Sequence, residues 1–256
     1  MGEVAYTKTE LLVTVAASLL EDGRSAILGT GLPLLAGLLA QKTHAPNLLL
    51  IFEAGGYGAQ VPQLPISVGD SRTFFRANQA SSMHDVMSSG QAGHIDYGFL
   101  GAAQIDCYGN LNTTVLGPHA LPQVRLPGSG GAADIGSFAW KTIVIMQQDE
   151  RRFARKLDFL TTAGYLDGPG ARERAGLPVG TGPYRVITQL GLYDFDPATA
   201  RMRLCAVHPG VTVEEALKAS GFELLTAPEP NETTAPTAEQ VRIMRQLDPT
   251  GLILPH

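Results

Sequence analysis

The stretch "NLLLIFEAGGYGAQ", residues 47–60, decides the fold. Leu48 to Phe52 is an unbroken apolar run. A run that is apolar on both faces is what the centre of a parallel sheet requires, so residues 47–53 are expected to form a buried strand. The run ends on Glu53, and the chain then breaks into Ala54-Gly55-Gly56. In open α/β sheets the carboxyl ends of strands are where ligand crevices form. A carboxylate there costs desolvation unless it is paired or used, so Glu53 either points into water or carries chemistry. Small neighbours would let a bulky substrate approach, and would leave the N–H groups around Gly55 free to donate to an oxyanion.

Working outward, residues 7–22 place Leu11, Leu12, Val15, Leu19 and Leu20 on one helical stripe, with a Thr7/Glu10 capping box and Gly23 as a stop. A strand is expected at 25–29, and a helix at 32–43 with Pro33 in its first turn. Strand, helix and strand in that order predict a crossover unit. The fold class is therefore α/β, an open, mostly parallel sheet with helices on both faces, built as a single domain over residues 1–256. Further on, a short helix is expected around 81–90, a strand in "YGFLGAAQID" (97–106), and a buried strand in "KTIVIMQ" (141–147). A hairpin or meander runs from Tyr184 to Val211 with Asp196-Pro197 at a turn. Two capped helices follow, in "TVEEALKASG" and "TAEQVRIMRQLDP", and the Pro- and Thr-rich residues 227–237 between them read as a surface connection. Arg151, Arg152, Arg155 and Lys156 are expected on one helix, either a solvated or subunit-facing surface or an anchor for an acidic partner.

Composition excludes several classes. The chain has 256 residues, 17% charged and 44% hydrophobic, with a net charge of -5 and a pI of about 5.7. That balance argues against nucleic acid or an anionic membrane as partner, since both select dense Lys/Arg patches. Two cysteines, Cys107 and Cys205, are too few for a disulfide framework or a thiolate metal site. The N-terminus lacks a basic region followed by an apolar one, Met1-Gly2 is followed by Tyr6 where myristoylation wants Ser or Thr, and no apolar run reaches ~18 residues. The chain is expected in the cytoplasm. Six histidines, from His44 to His256, show no ligand spacing, so no metal is expected. Neither a P-loop, nor a dinucleotide fingerprint, nor a G-x-S-x-G elbow occurs, so neither NAD nor ATP is expected.

Two further groups are candidates. Gly128-Ser129-Gly130-Gly131-Ala132 is either a plain turn or a run of N–H groups facing an anion. Gln104, Asp106, Asn110 and Asn112 fall close together in "GAAQIDCYGNLNTT" (101–114). Their side chains either hold a substrate carboxylate or tie the turn to itself, with turn chemistry the better fit for Asp106 and Asn110.

Taken together, "GTGLPL", "THAPN", "FEAG", "SVGD", "GAAQIDCYGNLNTT", "GSGGAADI", "DGPGARERAGLP" and "TGP" occur in the order seen in class I coenzyme A transferases. The chain resembles the small (B) subunit of glutaconate CoA-transferase, from about Thr9 to Pro255. The resemblance implies that Glu53 attacks an acyl-CoA thioester, passing through an acyl-glutamyl anhydride to a glutamyl-CoA thioester. It implies that the loop at 128–131 lines the site near CoA, with Gly130 and Gly131 serving the oxyanion; Gly55 is added as a donor, and Gln104 and Asn112 as substrate-binding residues, from the reading of the residues above. It also implies a separate A (large) subunit as partner, acyl-CoA and a small, dicarboxylic acid as substrates, and no tightly bound cofactor beyond CoA itself. One departure stands out: familiar members follow the glutamate with Ser-Gly or Asn-Gly, whereas this chain has Ala54-Gly55, one side-chain hydrogen bond fewer. Acyl-CoA hydrolases and decarboxylases share the scaffold, some without this glutamate, and a non-catalytic subunit would lack it too. Retention of Glu53 favours the transferase.

Overall fold

A computed structural model describes residues 5–254. Met1-Gly2, Pro255 at the end of the resemblance and His256 lie outside the described residues. The chain divides into two compact units, residues 1–99 with 234–256, and residues 100–233.

The first unit opens with α1 (Lys8–Ser18), whose Thr7/Glu10 capping box forms as the sequence predicts. The helix is shorter than expected and is buried from Glu10 to Ala17 rather than along one stripe, because α2 (Leu32–Lys42) packs against it. Pro33 sits in the first turn of α2, where its missing N–H costs nothing. β1 (Ser25–Ile27) and β2 (Leu49–Ile51) flank α2 and pair in parallel, Ala26 opposite Leu50. β3 (Gly56–Tyr57) and β4 (Gln79–Ala80) continue antiparallel beyond β2. α3 (Met83–Gln91) follows, and β5 (Tyr97–Leu100) returns parallel to β1 on its other side. The sheet is thus parallel through its buried strands and antiparallel only where hairpins turn back.

In the second unit, the small ladders β6 (Gln104–Ile105) with β7 (Leu111–Asn112) and β8 (Val115–Leu116) with β9 (Val124–Arg125) precede α4 (Ala132–Phe138). β10 (Lys141–Ile145) pairs in parallel with β11 (Pro183–Ile187), and α5 (Ala171–Arg174) lies between them in sequence. The expected meander forms as β11, β12 (Gly191–Phe195) and β13 (Met202–Val207), all antiparallel. Asp196 closes its turn by accepting from the N–H of Ala198 and Thr199. α6 (Val213–Lys218) carries the Thr212/Glu215 capping box. Behind the meander His208 is buried, its Nε2 donating to the Thr188 carbonyl at 2.8 Å and its Nδ1 meeting Thr233 Oγ1 at 2.7 Å.

Two expectations fail here. Of the expected connection 227–237, residues 227–232 are not a loop but part of β14 (Leu225–Glu232), parallel to β13. Leu225 and Thr226 pair, the register then breaks, and Asn231 and Glu232 pair again. Pro228 and Pro230 fall inside that break, where no ladder N–H is needed. Residues 151–156 are not a helix. The Asp149 carboxylate caps a turn by accepting from the N–H groups of Arg151 and Arg152, and fully buried Phe153 bridges to Ile105 as extended chain.

The chain closes with α7 (Ala238–Leu247), which packs on α1 and α2 of the first unit. Arg245 reaches the buried Glu10, Nε to Oε1 at 2.8 Å. Burial works to raise the Glu10 carboxyl, but the bonds from Arg245 and Thr7 outweigh it and hold it below its ordinary value.

Candidate active site

The apolar run stops being strand at Ile51, and Glu53 stands two residues later in a tight turn. The Gly55 N–H donates to the Phe52 carbonyl at 2.9 Å, and the Phe52 N–H donates to the Gly56 carbonyl at 2.9 Å. The turn therefore reverses β2 into β3, with Glu53 and Ala54 at its two central positions. Both are partly exposed, while Phe52 and Gly55 on either side are buried. The Glu53 carboxylate makes no hydrogen bond or ion pair among the described residues. The carboxylate is thus free to react, on a turn closed at both ends by backbone bonds.

The glycines beside it do a different job from the one expected. Gly55 has φ +122°, and a Cβ there would overlap the carbonyl oxygen of Ser81 and lie 3.0 Å from the Ser82 nitrogen. A Cβ on Gly56 would overlap the Thr73 carbonyl oxygen. The two glycines let other backbone segments approach, and the Gly55 N–H is spent on Phe52. Gly55 is thus corrected from an oxyanion donor to the residue that closes the turn.

Gln104 and Asn112 are also corrected. Asn112 is fully buried, its Nδ2 donating to Gln104 Oε1 at 2.7 Å and to the Val115 carbonyl at 2.6 Å. Its Oδ1 accepts from the Thr114 N–H at 2.9 Å. Gln104 Oε1 also accepts from the Asp158 N–H, and its Nε2 donates to Asp158 Oδ2 at 3.1 Å. Both amides are committed to holding loops together rather than to a substrate carboxylate. Asp106 does the turn chemistry expected of it, accepting from the N–H of Tyr108 and Asn110 and from Asn110 Nδ2. Burial pushes its carboxyl up.

The glycine loop of the second unit is held at both ends and open in the middle. Gly128 exchanges bonds with Thr113, N–H to carbonyl at 2.9 Å and Thr113 Oγ1 to the Gly128 carbonyl at 2.8 Å. Gly131 caps α4 without a side-chain bond. Between them Gly130 has φ +48° and open space beside it, and the N–H groups of Gly130 and Gly131 have no partner among the described residues. The far end of α4 is gripped by Arg172, which is 1% exposed. Its guanidinium donates to the carbonyls of Gly136 and Ser137, to those of Ala163 and Gly164, and to Thr181 Oγ1. The sequence reading missed this residue, although "DGPGARERAGLP" contains it. Among the described residues no cluster of three or more His, Cys, Asp or Glu is placed to hold a metal, and no helix is long and apolar enough to cross a membrane.

Comparison with known proteins decides the family. A family model described as coenzyme A transferase matches residues 10–219. The chain belongs to the coenzyme A transferase family. Within it, this CoA-transferase chain is of the class I, small-subunit type. It is 38% identical over 245 residues to the B subunit of the 3-oxoadipate CoA-transferase of Pseudomonas knackmussii, covering 95% of this chain and 94% of that one. It is 37% identical over 253 residues to the B subunit of the glutaconate CoA-transferase of Acidaminococcus fermentans, covering 95% and 93%. The crystal structure of the glutaconate coenzyme A-transferase of that organism superposes with a TM-score of 0.93 at 34% identity, over 100% of both chains. A more distant relative, the cholesterol ring-cleaving hydrolase IpdB subunit of Rhodococcus jostii, is 28% identical over 226 residues, covering 86% of this chain and 83% of that one.

Proposed function

We propose that the chain supplies the nucleophile of a CoA-transferase that moves CoA between an acyl-CoA and a small dicarboxylic acid. The observation that carries this reading is Glu53: a carboxylate without a partner among the described residues, on a turn closed by backbone bonds between Phe52 and Gly55 and between Phe52 and Gly56. In the proposed cycle the Glu53 carboxylate attacks the acyl-CoA carbonyl and CoA thiolate leaves. The thiolate then attacks the glutamyl carbonyl of the anhydride, releasing the free acid and leaving a glutamyl-CoA thioester. An acceptor carboxylate reverses the steps. The unpartnered N–H groups of Gly130 and Gly131 are the proposed donors to the oxyanion formed at each attack, a role that elsewhere is worth about 10²–10³ in rate per donor. The dicarboxylic part of the reading is supported by the names of two relatives, 3-oxoadipate and glutaconate, which are both dicarboxylates. Those relatives are B subunits, which supports a distinct A subunit as partner here. We propose further that residues 1–256 serve as one small-subunit domain, in the cytoplasm, with the CoA thioester as substrate and no further cofactor.

The hydrolase-named relative favours a second reading, in which water replaces the acceptor acid on the same scaffold. One experiment tests both. The complex with its A subunit is incubated with acyl-CoA and borohydride, then digested and weighed. Reduction of a glutamyl-CoA thioester to an alcohol lowers the Glu53 peptide by about 14 Da. The transferase reading expects that loss, expects Glu53→Gln to abolish both it and exchange, and expects turnover to need an acceptor acid. An unmodified peptide during steady turnover would overturn it.

A further inference from the structure

We propose that Asp85, acting through Ser81, is a positioning residue for the turn that carries Glu53. The inference rests on the reading of Glu53 as nucleophile. Its starting point is a bond that local structure does not require. α3 has a complete capping box of its own: Ser82 Oγ accepts from the Asp85 N–H at 3.2 Å, and Asp85 Oδ2 accepts from the Ser82 N–H at 3.1 Å. The cap needs nothing from Ser81. Yet the same Asp85 oxygen takes Ser81 Oγ at 2.7 Å, besides Ser82 Oγ at 2.7 Å. These hydroxyl donors, Ser81 foremost, hold the Asp85 carboxyl down to about 2, so it stays a charged acceptor at any working pH.

What Ser81 touches gives the bond its meaning. The Ser81 N–H donates to the Gly55 carbonyl at 2.9 Å, and the Ser81 carbonyl fills the space a Cβ on Gly55 would need. Gly55 in turn closes the Glu53 turn through its N–H to Phe52. The path is short: Asp85 fixes the Ser81 side chain, Ser81 fixes both sides of the Gly55 peptide, and Gly55 fixes the two-residue tip. Since Glu53 and Ala54 have no side-chain bond of their own among the described residues, the tip inherits its orientation from this clamp. A chain with Ser or Asn after the glutamate would have a local tether. This one has Ala54, and the tether comes from Ser81 instead.

The test compares Ser81→Ala, Asp85→Asn and Ser82→Ala in the complex with its A subunit. Misplacing a reacting group by a fraction of an ångström costs about tenfold. Ser81→Ala and Asp85→Asn are expected to lower kcat by about tenfold with KM for acyl-CoA within about twofold, and to slow the borohydride-trapped mass loss in parallel. Ser82→Ala removes the cap but spares the Ser81–Asp85 bond. It is expected to lower the melting temperature like the others while keeping kcat near wild type. The proposal is overturned if Ser81→Ala trapped and turned over at the wild-type rate, or if Ser82→Ala lost as much kcat as Ser81→Ala, which would reduce Asp85 to a helix cap. A wild-type complex that turns over without trapping would instead sink the nucleophile reading on which the proposal stands.

Discussion

Replacing Arg172 by Met probes the second unit's least expected feature, a buried guanidinium bonded to carbonyls and a hydroxyl rather than to a carboxylate. Methionine is of similar length and apolar, so the cavity stays filled and the desolvation cost of the cation disappears. Were Arg172 half of an ordinary buried ion pair, with both partners replaced, the exchange would be nearly neutral. Here the acceptors remain. The carbonyls of Ala163, Gly164, Gly136 and Ser137 and the Thr181 hydroxyl all lose a donor inside the protein. The one Thr181 hydroxyl proton goes to the Ser137 carbonyl at 3.2 Å or to the Pro178 carbonyl at 2.7 Å but not fully to both, and the carbonyls of Ala163, Gly164 and Gly136 lose the donor that Arg172 gave them. At about 1–3 kcal/mol each, less what is regained by not burying a cation, the net loss is about 3–5 kcal/mol. Over a urea slope of about 3 kcal/mol/M that is a midpoint shift of roughly 1–1.7 M. The assay is already in the chain: its single tryptophan, Trp140, directly precedes β10 and lies against Gly180, so its fluorescence reports on this unit. A midpoint within about 0.3 M of wild type would mean the guanidinium contributes nothing net, and the argument from orphaned carbonyls would be wrong.

Other outcomes follow from the same structure. His208 is held neutral by burial, its pKa lowered from 6.5 against the opposing pull of the Thr188 carbonyl. The unfolded chain therefore binds a proton that the folded one refuses, and stability should fall as pH drops below about 6.5. Urea midpoints at pH 7.5 and 5.0 should differ less in His208→Gln than in wild type, and an unchanged difference would clear His208 of the effect. Gly56→Ala forces a Cβ into the Thr73 carbonyl and should cost about 1–3 kcal/mol, lowering the melting temperature by roughly 3–10 °C. A calorimetric scan that matches wild type would show that the 70–74 segment yields freely.

What could be read in advance was what depends on near neighbours in sequence. The α/β alternation came from apolar runs and capping boxes that forecast real helices at Thr7, Thr212 and Thr237. Glu53 was conspicuous because an unbroken apolar run leads up to it. The meaning of the glycines was hidden because the atoms that exclude a side chain, on Thr73 and Ser81, lie some twenty residues on. Gln104 and Asn112 looked available because Asp158 is more than forty residues away. A short helix around 81–90 was legible, but nothing local said that Asp85 would both cap it and hold Ser81. Proline-rich residues 227–237 misled because a strand can tolerate proline wherever its register breaks, and that break depends on β13.

The first unit is assembled from both ends of the chain, and this has a consequence for how the protein is made. α1 and α2 emerge from the ribosome before α7, which packs on both and is translated about 200 residues after α2. At roughly 5–20 residues per second the apolar flanks of α1 and α2 wait about 10–40 s for their cover. The second unit, contiguous over residues 100–233, is complete before the first. During that interval Glu10 lacks Arg245, its partner 235 positions away. The interval is long enough for a nascent chain to need shielding, and a message truncated before the codons of α7 would release a product with this seam permanently open.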